Sequence, residues 1–323
     1  MATNQEVQTQ TPKPPKPGYS TLSREFSSSA LGYQWRSRVL VALALAFIGV
    51  STLAGAVRPL FPHFPLLTYQ VNYATAVAAI LFLFASSIRL YRIIRRPERI
   101  WFGSRVLAER TKSLAWSYAV AGARLPLSGA PETINTQYQE ALNEAATEAG
   151  QGGVRYHTPK GKADIQVITS WMRETRAKDL GERRRIYAER RIKDQEDYYS
   201  KNERKYSHRA AIWQWVLYGI ELAGAVLAAL YALAIIPLDL VGFIGTAAAG
   251  LAAWVQFNQF TELAGTYDAM AYRMAGYREE CTDDTTPWTE DRWAKFVEKV
   301  EGVLDEEHGA WRRIVKEGAK DVP

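Results

Sequence analysis

AIWQWVLYGIELAGAVLAALYALAII, running from Ala211 to Ile236, contains a single charged residue, Glu221. A helix needs about 20 consecutive apolar residues to cross roughly 30 Å of hydrocarbon, and this run is long enough. Three further runs repeat the pattern. VLVALALAFIGVSTLAGAV (Val39–Val57) lies uncharged between Arg38 and Arg58. The segment from Pro59 to Ile88 also carries no charged residue; its Pro-rich start, within RPLFPHFP (Arg58–Pro65), reads as a turn before a second span from about Tyr69 to Ile88. LVGFIGTAAAGLAAWVQFNQF (Leu240–Phe260) follows the short turn Pro237-Leu238-Asp239. The sequence thus predicts an all-α integral membrane protein with four transmembrane helices in two hairpins and long cytoplasmic helices.

With 323 residues, 23% of them charged, and a net charge of +6, the totals alone would suit a soluble protein. What excludes that reading is segregation: the charges lie between the apolar runs, and four such runs cannot all be buried in a water-soluble core. The single cysteine, Cys281, rules out an internal disulfide, and no zinc-site spacing occurs. Residues 1–32, rich in Pro, Thr, Ser and Gln, read as a disordered tail. The first apolar run is too long for a signal peptide.

Basic residues set the expected orientation. Arg36 and Arg38 precede the first run, Arg89, Arg92, Arg95, Arg96 and Arg99 follow the second, and Lys201, Arg204, Lys205 and Arg209 precede the third. The two turns offer only Arg58 and Asp239. Both termini and the middle region are therefore expected in the cytoplasm. Arg89 to Arg209 reads as helix broken at Pro97, at LPLSGAP (Leu125–Pro131) and at GQGGVRYHTPKGK (Gly150–Lys162). Leu180 to Ile236 lacks proline and reads as one helix, half of it a stalk. The fourth run is expected to continue straight into TELAGTYDAMAYRMAGYREE, with a last helix over Pro287–Val315 capped by Asp284-Thr285-Thr286.

Three segments carry a resemblance: ERIWFGSRVLAERTKSLAWSYAVAG (Glu98–Gly122), RRRIYAERRIKDQEDYYSKNERKYSHRAAIW (Arg183–Trp213) and EEHGAWRR (Glu306–Arg313). They resemble the SLATT proteins, SMODS- and SLOG-associating two-transmembrane effectors, here as two units in tandem over 33–160 and 161–318. The resemblance implies a bacterial inner-membrane, pore-forming effector in conflict systems that use nucleotide second messengers. No sensor or nucleotidyltransferase is fused to this sequence, so the resemblance does not supply the activating signal.

Several side chains are candidates for that role. Glu221 lies near the middle of its span, where a carboxylate costs about 2.5–3.5 kcal/mol on insertion scales. It is either a pore-lining acid or a hydrogen-bonded link to Thr246, Asn72 or Thr75. Gln256, Asn258 and Gln259 could line an inner vestibule, although amides are ordinary at a membrane interface. Gly242, Gly245, Ala249 and Gly250 form a small-residue face suited to helix packing. Arg89, Arg92, Arg95, Arg96 and Arg99 suit lipid headgroups or a nucleotide's phosphates, and the positive-inside rule alone also accounts for them.

No P-loop, GxSxG or HExxH motif is present, and the four histidines are scattered, so neither an enzyme nor a cofactor is expected. Expected partners are membrane lipids, copies of the same chain, and a cytoplasmic sensor or nucleotide second messenger, with no nucleic acid. A membrane-anchored scaffold that recruits a cytoplasmic partner is the alternative function. The topology has a direct check. A cysteine placed within His63–Pro65 or at Leu238 should react with impermeant reagent from outside the cell, and reaction from the cytoplasmic side alone would overturn the assignment.

Overall fold

The computed structural model describes residue 14 and residues 16–66, 69–151 and 167–320. Residues 1–13 and 15 of the expected tail, and most of the Gly150–Lys162 break, lie outside these residues. The first helix, α1 (Thr21–Ala56), starts inside the segment read as tail. Ser20 caps it by accepting the Ser23 N–H at 3.3 Å. Phe26 and Ala30, one turn apart, are buried against the neighbouring helices and hold these first turns in place. So few apolar residues among serines gave no composition signal, which is why the tail boundary was set too late.

Beyond α1 the chain forms a short antiparallel hairpin, β1 (His63–Leu66) against β2 (Tyr69–Asn72), with His63 opposite Asn72. Asn72 locks this turn. Its Nδ2 donates to the carbonyls of Phe61 (2.7 Å) and Arg58 (3.2 Å), and its Oδ1 accepts the Ala74 N–H at 3.0 Å. That is an N-cap, so α2 spans Tyr73–Arg95 and the second apolar helix begins four residues later than Tyr69. At Arg96 the backbone turns left-handed (φ 45°), and Pro97 opens α3 (Pro97–Val120), which returns along α1.

The second half follows the same plan. After α4 (Pro131–Gln151) and α5 (Ser170–Arg176), one continuous helix of 53 residues runs from Leu180 to Ala232, about 80 Å at 1.5 Å per residue. It comprises α6 (Leu180–Tyr187), a π-turn (Ala188–Ile192) and α7 (Lys193–Ala232). Then come α8 (Val241–Asn258), a left-handed residue at Gln259 (φ 49°), and α9 (Phe260–Thr282), which returns along α7. The straight continuation of the fourth run is thus overturned. Phe260, Ala264, Tyr267, Met270 and Met274 form one buried stripe on α9, and the break at Gln259 is what lays that stripe on α7.

Among the described residues, three helices are long and apolar enough to cross a membrane: Ser23–Ala56, Tyr73–Arg95 and Leu180–Ala232. The shorter, Ala- and Gly-rich α8, with 18 uncharged residues, is not among them. α8 packs on both α7 and α1, so the apolar parts of the two halves touch.

Away from the apolar stretches the helices form a base around Trp116. Its indole N–H donates to the Tyr19 hydroxyl at 2.8 Å, and it meets Trp171 and Tyr187 edge-on. α3 ends in this core, so its last carbonyls need buried donors. Arg176 serves Tyr118, while Arg183 and the Trp293 indole serve Val120. The last helix, α10 (Glu290–Lys320), starts after the stretch expected to cap it. Asp283 draws Thr285 into a tight turn at the end of α9, and Thr289 makes the cap by accepting the Arg292 N–H.

α10 is anchored by charge. Arg191, in the π-turn, bonds Glu301 through Nε (3.0 Å) and Nη2 (2.6 Å), and Nη2 also donates to Ser113 Oγ. The Tyr187 hydroxyl donates to Glu301 Oε1 at 2.8 Å. Arg191 is 2% exposed and Glu301 5%. Glu301→Ala should therefore cost about 3–5 kcal/mol by stranding a buried guanidinium, whereas Arg191→Met with Glu301→Leu should recover most of it. Hydrogen exchange over α10 and thermal unfolding of the full chain check both outcomes.

Candidate functional site

Glu221 sits in the apolar half of α7 with its side chain on the outside of the chain. It has no hydrogen-bond or ion-pair partner among the described residues. The polar groups proposed to meet it are engaged elsewhere: Asn72 and Thr75 belong to the α2 cap, and Thr246 Oγ1 donates to its own helix at Gly242 O. The contact surface between α7 and α8 lies beside it. There Gly224 admits Ile244, whose Cγ2 would be 2.9 Å from a Cβ at that position.

The small-residue face of α8 divides in two. Gly250 faces inward, where an added Cβ would stand 3.9 Å from Leu45 of α1. Gly242, Gly245 and Ala249 face outward with Gln256, leaving a smooth strip on the surface of the chain.

A second polar site lies where the apolar helices enter the base. Arg92, near the end of α2, pairs with Glu98 at 2.7 Å and stacks over the Phe257 ring with its guanidinium 5.6 Å from the centroid. Ser37 of α1 donates to the same carboxylate at 3.0 Å. Glu98 lies in the first turn of α3, where a carboxylate also suits the helix dipole. These contacts join the α2–α3 corner of the first half to the α8–α9 corner of the second. Between the corners is a cavity of about 150 Å³, walled by Gln34, Arg38, Trp101, Arg105, Phe257 and Asn258, among others.

Of the vestibule candidates, Asn258 and Gln259 line this cavity and Gln256 does not. Asn258 is buried, with Nδ2 donating to Trp254 O at 2.9 Å. In the arginine group, Arg89 and Arg95 are exposed, Arg96 and Arg99 are half-buried, and Arg92 is turned inward to Glu98. Sequence reasoning missed Gln34, Arg38 and Arg105 as parts of one site, because they come from two helices far apart in the chain. It also missed Arg191, Ser113 and Glu301. The one available signal for that trio was an arginine amid the buried positions Ile186, Tyr187 and Ile192.

Residues 22–184 match the family described as SMODS and SLOG-associating 2TM effector domain 3, and residues 187–311 match SMODS and SLOG-associating 2TM effector domain 1. The chain belongs to the SLATT family. It carries two SLATT units in tandem, and this makes it a membrane effector protein of the kind associated with conflict systems. The two matches meet within α6, just before the π-turn of the long helix, and each contains a left-handed corner, at Arg96 or Gln259, followed by a returning helix. No curated protein and no solved structure matches the chain.

Cys281, the single thiol, is fully buried on α9. Burial pushes its pKa up to about 12 from an ordinary 9.0. A thiol with a raised folded pKa contributes stability that is full below pH 9.0 and is lost as pH rises toward about 12. At pH 8, iodoacetamide should leave Cys281 unmodified in the folded protein and alkylate it after denaturation, as read by intact mass; rapid modification of the folded protein would contradict the burial.

Proposed function

We propose that this SLATT protein is a four-span membrane effector that self-assembles and conducts cations, acting in a prokaryotic conflict system signalled by nucleotides. The observation that carries the reading is Glu221, a carboxylate on the outer face of an apolar helix with no partner among the described residues. In a lone subunit it would face lipid at a cost of about 2.5–3.5 kcal/mol on insertion scales. No basic residue occurs in the apolar runs to neutralise it. Water or a second copy then removes the penalty, and a ring of copies supplies both.

Other features support the same arrangement. Each family match describes a two-transmembrane domain, so two matches favour four spans. α8 is the fourth, since its 18 uncharged residues extend about 27 Å and pack between α7 and α1. Its outward strip of Gly242, Gly245 and Ala249 permits close approach by a neighbouring helix. Basic flanks at Arg36, Arg38, Arg95 and Arg204 favour a bacterial inner-membrane protein with both termini in the cytoplasm. Four spans from one chain cannot enclose a water-filled path, so conduction requires a homo-oligomer.

Reconstitution of purified protein into liposomes, with mass measured in detergent and corrected for bound detergent, tests the proposal. Cation flux from an oligomer is the expected result. Glu221→Gln should keep fold and assembly while lowering cation selectivity, and Glu221→Lys should favour anions. Unchanged selectivity in both variants, or a strict monomer at every concentration, would overturn it. Intact assembly with no flux under any trigger would favour the scaffold instead.

A further inference from the structure

Below the apolar runs, α7 and α9 pack antiparallel through Tyr199, Tyr206, Phe260 and Tyr267, which leaves each helix one face turned away from the other. Both outer faces are charged. On α7 the exposed residues Asp197, Lys201, Arg204 and Lys205 share the side opposite the buried tyrosines, and on α9 Glu262, Asp268 and Arg273 are exposed away from the buried stripe. None of these side chains has an ion-pair partner among the described residues; Lys205 only rests near the ring of its neighbour Tyr206. Where a charge of one helix faces the other helix, it is used: Arg278 of α9 bonds Glu196 of α7 at 2.7 Å.

The packing contacts fix the register of the two helices, so the heights of the outer charges can be compared. The Tyr199 and Tyr267 rings lie 5.9 Å apart, those of Tyr206 and Phe260 6.1 Å apart, and Glu196 meets Arg278. Asp197 is therefore level with Arg273, Lys201 with Asp268, and Arg204 and Lys205 with Glu262, each to within about one turn of helix. The signs are opposite at every level. They also invert together, since the acid at the foot of the α7 face stands at the height of the base on the α9 face. The flanking rule for membrane spans accounts for Lys201, Arg204 and Lys205, but not for the acids of α9 or for the inversion. An anionic surface of any kind would match the upper part of the α7 face alone.

We propose that these two faces bind each other between copies of the chain, the α7 face of one copy against the α9 face of the next. Rotation about an axis along the membrane normal leaves every residue at its own height, so it brings each of these charges to its opposite on the neighbour. Such a contact is heterologous and builds a ring when the rotation closes. Tyr272, 84% exposed among these charges, is the large side chain at the centre of the α9 face, and Ala269 and Gly276 beside it leave room for a neighbouring helix. Exposed ion pairs are individually weak, so their part is to select the face and the register. The inference rests on the self-assembly proposed above and is independent of conduction.

Two measurements on the full-length protein test it. In the first, Lys201→Cys and Asp268→Cys chains carrying different tags are co-expressed, and their membranes are oxidised. A disulfide joining the two tags is expected, with little linking of Lys201→Cys to itself and little to Glu279→Cys, which lies about 16 Å further along α9. In the second, Asp197→Lys/Lys201→Glu inverts the α7 pattern without changing the net charge. Half-dissociation of the oligomer, read from mass in detergent, should then need a concentration higher on the order of tenfold or more. Adding Asp268→Lys/Arg273→Glu to the same chain should restore assembly, and circular dichroism confirms that each variant keeps its helicity. Oligomers that persist unchanged in the α7 variant, that are not restored by the α9 changes, or that link like positions to each other overturn these faces and leave self-assembly standing. A wild-type monomer at every concentration overturns both.

Discussion

The base of this protein is organised by one buried ion pair. Arg191 and Glu301 are both removed from water, at a desolvation cost of several kcal/mol per ion, and that cost is offset only if nearly every donor and acceptor is used. Here the guanidinium uses both Nε and Nη2 on the carboxylate, Ser113 accepts a further bond, and Tyr187 donates to the same carboxylate. The four residues come from α3, the long helix and α10. None of those elements can shift by a turn without leaving a charge unpaired in an apolar core.

The pair also gives the π-turn a physical reason. Arg191 lies within that turn, where one extra residue is accommodated and the side chains beyond it rotate relative to those before it. From there the helix runs without a break to Ala232, so its apolar half is oriented by a contact about 30 Å below the start of the Ala211 run. Where Glu221 faces is thus set at the base as well as by the packing of α7 on α8. A continuous helix joins a satisfied buried network to an acid in an apolar run that has no partner among the described residues, and so links two chemically different environments.

The sequence made some of this legible and concealed the rest for identifiable reasons. Apolar runs and their basic flanks are local signals, so the spanning helices and the long stalk could be read directly. The corner at Arg96 was announced by Pro97, whereas Gln259 carries no such mark: glutamine has no preference for left-handed backbone, and only the stripe from Phe260 to Met274 demands the turn. The β1–β2 hairpin was hidden among prolines, and the cap of α10 was misplaced because Asp283 spends the neighbouring polar residues on a turn. Of the candidate site, Glu221 stood out because it interrupts an apolar run. The cavity gave no local signal, since Gln34, Arg38, Trp101, Arg105 and Phe257 become neighbours only after both corners have formed.

The two SLATT units share a plan but treat their intramembrane polar groups differently, and the difference assigns them different work. In the first unit, Ser51 is buried within the α1–α2 hairpin and donates to Ala78 O at 3.0 Å, and Phe47 meets Phe84 across the same contact. That hairpin satisfies its own polar group and closes on itself. In the second unit, Glu221 is left outside the α7–α8 contact, and the neighbouring strip of α8 presents glycine and alanine where a closed hairpin would bury larger side chains. Where an oligomer has to choose a surface, the free energy left to gain is therefore in the second unit. In the proposed assembly the first unit, linked to it by Arg92, Glu98 and Phe257, would hold those helices upright while they meet their neighbours.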